Sequence, residues 1–393
     1  MNISRSSAQK LNHFGSLIIV LFLFSTFAIG QQYIPPKDGK WKQTSPEFVG
    51  IDKDKLFQAV SFAKENEYSG SRDLEIAILK AFEYEPYHKI LGPTKHRGGP
   101  AGLILKNGYI IAEWGDISRV DMTFSVTKSY LSTVAGLALD DNVIENITDP
   151  VNEYVWDGTF KGGHNSKITW EHLLNQSSDW SGTLFGLYDW ADRPPTEGGI
   201  DDWKSRKLNE PGTYFKYNDV RVNALSYSLL QIWRKPLPQV LKEKIMDPIG
   251  ASSTWRWYGY DDSWITVDGL KVQSVSGGGH SGGGIFINTA DHGRFGLLFL
   301  RDGVWDGKQL ISKEWVEKVQ KPSPANDSYG YMWWLNQGNR KWEGVPGSVY
   351  YAAGFGGNYI IIDKEHDLVV AIRWLEPSKA GEFMKMVVDS IDK

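Results

Sequence analysis

The sequence predicts an α+β fold: an antiparallel sheet built from the N- and C-terminal segments and flanked by helices, with a mostly helical lobe inserted between them. Three observations carry this. β-rich runs lie at 101–114 and return at 348–374. The stretch from about 140 to 275 reads mainly as helical patterns and loops. Strand runs kept apart from helical runs favour an antiparallel sheet over the strand–helix alternation of a parallel one. If the two end segments share one sheet, a cleft forms where the lobes meet.

Taken in order, 31–46 is polar with Pro35-Pro36, a linker or extended arm. Ser45-Pro46-Glu47 opens a helix that carries its pattern from Asp52 to Asn66, and 75–91 also reads as helical. A hairpin follows: Ala101–Leu105 and Tyr109–Trp114 flank Lys106-Asn107-Gly108, and Asn-Gly is the strongest short hairpin signal. Helices are expected at Leu131–Leu139, Ile168–Asn175, Val222–Trp233 and Leu237–Met246, with loop over 177–212. A glycine-rich turn, 276–284, leads into Ile285-Phe286-Ile287, and Asn288-Thr289 caps a helix over 290–301. Strands at 348–352, 358–363 and 368–374 precede a last helix over 381–391.

The 393 residues allow a sizeable core. Residues 1–30 have the pattern of a secretory signal: Arg5 and Lys10, an apolar run from Ser16 to Ile29, then Ala28-Ile29-Gly30 before Gln31. That run is short and wrongly flanked for a stable spanning helix, an uncleaved anchor being the alternative. The expectation is a periplasmic or secreted protein without stable membrane insertion after cleavage. Loss of 1–30 removes two positive charges and no negative ones, taking the net charge from −4 to −6. A mildly acidic chain without basic runs argues against nucleic acid as a partner.

There is no cysteine, which excludes a thiol nucleophile, a thiolate zinc site and an iron–sulfur cluster. The eight His show no H-E-x-x-H or similar spacing, so neither metal nor cofactor is expected. The 17 Trp, 18 Tyr and 17 Phe mean either dense core packing or an aromatic-walled cleft.

The most informative stretch is Thr123-Phe124-Ser125-Val126-Thr127-Lys128. Ser125 and Lys128 are three apart, so on a helix their Cβ atoms lie roughly 5–6 Å apart on one face. A serine hydroxyl is a weak nucleophile until a neighbour takes its proton, and a lysine does this only when its surroundings favour the neutral amine. A second copy, Ser61-Phe62-Ala63-Lys64, sits in a helix whose apolar face is Leu56, Ala59, Val60 and Ala63, so Ser61 points outward. Further on, Pro211-Gly212 marks a turn before Tyr217-Asn218-Asp219. Tyr217 is either a proton shuttle beside an ammonium or a packed tyrosine ahead of a helix-capping Asp219. His280 in the glycine-rich turn is either substrate-lining or a solvated loop histidine. Tyr188, Trp190 and Trp180, in the long middle loop, are candidate walls of a pocket.

These motifs, in this order, resemble those of the serine β-lactamase and penicillin-binding-protein superfamily. The branch is the one that holds class C β-lactamases, D-alanyl-D-alanine peptidases, β-lactamase-fold esterases and 6-aminohexanoate-dimer hydrolase. Ser125 to Lys128 is similar to the family's S-x-x-K, and Tyr217-Asn218-Asp219 to its Y-x-N, with Asp in place of Asn. Ile168 to Ser178 resembles the "IT-x-x-HLL-x-x-TSG" helix, and Ser281-Gly282-Gly283-Gly284 the "SGGG" entry to a strand. The resemblance spans roughly 50–390. The third motif, K/H-[ST]-G, departs: Ala352-Ala353-Gly354-Phe355 stands in its place, without cation or hydroxyl.

The resemblance implies a β-lactamase-like domain over 47–393 after a signal (1–30) and a linker (31–46). Its α/β lobe covers about 47–136 and 276–393, and its helical lobe about 137–275. It implies an acyl-enzyme on Ser125, with Lys128, neutral before attack, and Tyr217 sharing the base role. Asp219 positions Lys128 and raises its proton affinity. The N–H groups of Ser125 and Phe355 hold the oxyanion, and Gly354 permits close approach. Loss of the cationic third motif favours an ester or linear amide, small or oligomeric, over substrates that present a carboxylate there. The alternatives are a β-lactamase or D-alanyl-D-alanine carboxypeptidase, and, in another class, a non-catalytic binding or sensor protein on the same scaffold.

Overall fold

Alternation along the strands decides how the helices are arranged. A computed structural model describes residues 33–37, 40–338 and 341–392. The expected signal at 1–30 lies outside them. The strands that matter here are β1 (Ala101–Lys106), β2 (Tyr109–Trp114), β3 (Asp121–Met122), β4 (Arg256–Val267), β5 (Leu270–Val275), β6 (Gly284–Ile287), β7 (Trp334–Leu335), β8 (Tyr350–Gly354), β9 (Asn358–Asp363) and β10 (Leu368–Arg373). The helices are α1 (Lys53–Glu65), α2 (Leu74–Ala81), α3 (Thr127–Asp140), α4 (Asp219–Trp233), α5 (Thr289–Leu300) and α6 (Ala380–Asp389).

The main sheet has the order β7-β8-β9-β10-β1-β2. β10 pairs antiparallel with β1 from Ala101↔Arg373 to Lys106↔Leu368, so the two chain ends do share one sheet. Successive side chains of a strand point to opposite faces. Leu103, Leu105, Ile360, Ile362, Val369 and Ala371 face α3 and α5. Ile104, Ile361, Val370 and Ile372 face α1 and α6. With both faces covered, these strands read as continuous apolar runs rather than as alternating ones. The Asn107-Gly108 turn of the first hairpin has both residues at positive φ, 55° and 86°, as a two-residue turn of this kind requires.

α3 is buried at every position from Thr127 to Ala138, the behaviour of a helix that is core on all sides. It packs on the sheet on one side and on α4 on the other. α1 exposes Ser61, as its apolar spacing predicts.

Several expectations shift. Helix α1 starts at Lys53, because Gly50 turns left-handed after a short 3-10 turn and Asp52 takes the capping position. α2 ends at Ala81, and the chain is irregular from there to Leu91. The middle lobe is not all helix and loop: β4 and β5 form a long hairpin, which joins β6 and β3 in a second sheet ordered β3-β6-β4-β5. Its Asp268-Gly269 turn, again at positive φ (51° and 80°), is a hairpin signal in the sequence. The irregular register between Gly259 and Trp264 breaks the alternation that would have marked the strand. The described part of 31–46 is pinned along β2 by a Gln43–Ile110 bridge, by Tyr33 stacked on Tyr109 and by Trp41 Nε1 donating to Gly108 O. Among the described residues no helix is long and apolar enough to cross a membrane.

The loop over 177–212 is held by buried charges rather than by regular structure. Arg221 of α4 pairs with Asp179 (2.7 Å) and Asp189 (3.2 Å), and Arg206 bonds the same two carboxylates. Burial pushes the Asp179 carboxyl up, but the hydrogen bond from Arg206 and the charge of Arg221 prevail and hold it at about 2. Its folded value lies below the unfolded one, so this stabilisation is full above roughly pH 4 and is lost as pH falls toward 2. Arg221→Met leaves the buried carboxylates short of a partner. It is expected to cost about 3–5 kcal/mol in urea unfolding and to move acid unfolding to higher pH.

Candidate active site

Ser125 enters the site through a tight turn. Phe124–Val126 is one 3-10 turn at the head of α3, and Phe124 has φ 50°. Neighbouring elements fix the turn: Thr123 N donates to Ile285 O (2.9 Å), Ile285 N donates to Thr127 Oγ1 (3.0 Å), and Thr123 Oγ1 bonds His292 Nε2 (2.7 Å). One turn on, Lys128 Nζ donates to Ser125 Oγ at 2.9 Å.

A lysine on a wholly buried helix needs a counter-charge. Lys128 is 1% exposed, and Asp219 Oδ1 stands 2.6 Å from its Nζ. Asp219 is the first residue of α4. Asn218, not Asp219, caps that helix by accepting from Arg221 N (3.0 Å). Tyr217 therefore sits just before the helix, with Lys128 Nζ 4.7 Å from its ring centroid. The ring stacks on Trp334, with centroids 5.7 Å apart and planes at 19°.

The glycine-rich turn closes over this pair. A Cβ at Gly278 would stand 1.8 Å from Asp219 Oδ1 and 2.2 Å from Lys128 Nζ, so only glycine fits there. Gly354 plays the same part on the opposite side: a Cβ there would meet Thr123 O at 2.3 Å and Ser125 N at 3.3 Å. The end of β8 thus runs against the Ser125 turn, and Phe355 follows it with its ring 5.0 Å from that of Phe124.

Burial pulls the Lys128 amine down. The Asp219 carboxylate and then Tyr217 push it up and prevail, so it ends above the usual lysine range. Burial raises the Asp219 carboxyl, but Lys128 and then Arg193 hold it well below the usual carboxylate range. The carboxylate therefore strengthens the amine's hold on its proton, the effect expected of an aspartate at 219. The aspartate stands where the family pattern has an amide, so the lysine faces a full negative charge instead of a dipole.

Four further residues complete the network, and none stood out in the sequence in that role. Arg193 Nη1 bonds Asp219 Oδ2 (2.7 Å) and Asp192 Oδ1 (2.5 Å), while its Nη2 meets His280 Nδ1 (3.1 Å). His280 Nε2 meets Glu85 Oε2 at 2.7 Å. His280 is thus buried, not a solvated loop residue. Loop arginines and acids carry no periodicity, so no pattern could have singled out Arg193, Asp192 or Glu85.

A small cavity is walled by Tyr87, His88, Tyr188, Asp219, Asn223 and His280, among others. Tyr188 stacks on Trp190 at 5.2 Å beside it. Trp180 does not reach it: its Nε1 donates to Thr159 O, and its ring is part of the main core. The donor atoms of Glu85, His88 and His280 converge within 4.8 Å, as do those of Asp192, Asp219 and His280. Most are already spent on one another or on the adjacent guanidinium, an arrangement that suits protons rather than a metal cation.

Residues 120–375 match the family described as Beta-lactamase. The chain is 24% identical over 318 residues to a 6-aminohexanoate-dimer hydrolase of Paenarthrobacter ureafaciens, covering 70% of this chain and 73% of that one. Among solved structures, a family VIII carboxylesterase superposes with a TM-score of 0.56 at 14% identity, over 87% of this chain and 99% of that one. A penicillin-binding protein homologue from Caulobacter crescentus gives 0.57 at 12%, over 87% and 99%.

Proposed function

This chain belongs to the Beta-lactamase family of serine hydrolases, and from that premise we propose that it is a secreted enzyme that cleaves an ester or a linear amide through an acyl-enzyme on Ser125. One observation carries the reading: Lys128 Nζ lies 2.9 Å from Ser125 Oγ, backed by Asp219, while the strand edge beside them is Ala352-Ala353-Gly354. A serine and a lysine placed to act as nucleophile and base stand beside a strand edge, Tyr350–Gly354, that carries no cation for a substrate carboxylate. The likeness to a 6-aminohexanoate-dimer hydrolase and to a carboxylesterase supports the same choice. The sequence pattern of 1–30 supports secretion.

In this mechanism the free amine of Lys128 takes the hydroxyl proton as Ser125 Oγ adds to the carbonyl carbon. The N–H groups of Ser125 and Phe355 take the oxyanion, a role that backbone donors fill without side chains. The proton passes by way of Lys128 and Tyr217 to the leaving alcohol or amine as its bond to carbon breaks. Water then adds to the acyl-enzyme, the serine is regenerated and the acid departs.

A fluorophosphonate probe is expected to label Ser125, as read by peptide mass. A panel of p-nitrophenyl esters, short linear amides, nitrocefin and a D-alanyl-D-alanine peptide is expected to show turnover of esters or amides at least tenfold above that of the carboxylate-bearing substrates. Steady nitrocefin turnover would promote the β-lactamase reading, and absence of any adduct would favour a non-catalytic binder.

A further inference from the structure

Asp219 poses a problem for the proposed reaction. A full negative charge 2.6 Å from the lysine tends to keep the proton on the amine, where it is useless as a base. The structure holds a device that counters this. Arg193 sits on the far side of the same carboxylate, its Nη1 2.7 Å from Asp219 Oδ2. The two oxygens are shared out, Oδ1 to the lysine and Oδ2 to the arginine. We propose that Arg193 is a positioning residue of this reaction: it takes up part of the Asp219 charge, so that the carboxylate holds Lys128 against Ser125 without locking the proton on the amine. This rests on the reading of Ser125 and Lys128 given above.

The placement of Arg193 supports a dedicated role. Its backbone lies in the left-handed region, φ 48°, which is costly for a residue with a side chain. It is kept there from both ends. Its N–H donates to Glu85 Oε1 (3.1 Å), and its guanidinium carbon stands over the ring of Phe82 (5.4 Å to the centroid) and over that of Tyr217 (5.2 Å). The charged and titratable groups around it come from five segments: Lys128 of α3, Tyr217 ahead of α4, Asp219 of α4, His280 of the glycine-rich turn, and Glu85 beyond α2. Asp192, its neighbour in the chain, bonds the guanidinium and accepts from the N–H of Asp219 and of Val220, so it ties the arginine to the head of α4. His88 packs behind His280. In charge terms, Asp219 raises the proton affinity of Lys128, and Arg193 lowers it.

The test is the pH dependence of kcat/KM for a p-nitrophenyl ester in the full-length enzyme. In wild type the rate is expected to rise with pH as Lys128 loses its proton. Arg193→Gln and Arg193→Met, two neutral side chains of different shape, are each expected to move the rising limb to higher pH. A displacement of about one pH unit is a roughly tenfold loss at pH 7 that is recovered at alkaline pH. Arg193→Lys, which restores a cation, is expected to return the limb toward wild type. Asp219→Asn is expected to move it to lower pH. A purely structural arginine would lower the rate at every pH and leave the limb in place. A limb unmoved in the neutral variants, or as far displaced in Arg193→Lys as in Arg193→Gln, would overturn the proposal. Fluorophosphonate labelling of Ser125 in the same variants keeps the two questions apart: adduct formation with an unmoved limb removes the role of Arg193 and leaves the serine reading standing.

Discussion

Ser125→Ala is expected to lower ester hydrolysis by about 10³- to 10⁶-fold, the range seen when the nucleophile of a cooperating set is removed. The residual rate would come from backbone donors and substrate binding, which the substitution leaves in place. The fold should tolerate the change. Ser125 is partly exposed, and among the described residues its hydroxyl accepts from Lys128 alone, which keeps Asp219 as a partner. Thermal unfolding should therefore stay within about 1 kcal/mol of wild type. Turnover equal to wild type by the variant, with folding confirmed by circular dichroism, would sink the assignment.

Lys128→Met carries the second large effect and differs in kind. Methionine fills much of the same volume but neither takes a proton nor pairs with Asp219. Hydrolysis is expected to fall by about 10²- to 10⁴-fold, the usual worth of a positioned general base. Unlike Ser125→Ala, this change also strikes stability. It leaves Asp219 Oδ1 buried under the glycine-rich turn, with Arg193 and the more distant His280 ring (3.9 Å) facing the other oxygen. A loss of roughly 3–5 kcal/mol is expected in urea unfolding, because removing one member of a buried ion pair strands the other. Addition of Asp219→Asn should recover much of that stability and little of the activity. Recovery of both together would show that Lys128 acts through structure alone.

What could be read from the chain was local. The Asn107-Gly108 turn declares a hairpin, and the spacing of Ser125 and Lys128 places them on one helical turn. The Ser61 copy is set aside by its own helix face, which turns the hydroxyl to solvent. The hairpin of β4 and β5 was within reach through Asp268-Gly269, but its irregular register hid the alternation. Trp180 shows the opposite error: a tryptophan in a loop beside a cleft looks like a wall, and only the packing sends its ring into the core.

The chain by itself is enough to propose the nucleophile, its lysine and the tyrosine, and it shows the third motif without its cation, because each is a residue type at a short spacing or in a motif order that needs no coordinates. It also carries the α+β layout, through runs whose period and composition are set by what they bury. Only the tertiary structure decides which charges meet at the site. Lys128 and Asp219 are 91 positions apart, and Asp219 and Arg193 26, yet all three meet in a buried, low-dielectric space where a charge acts strongly on its neighbours. Proton affinity there depends on distance and burial, and neither quantity is written in the order of the residues.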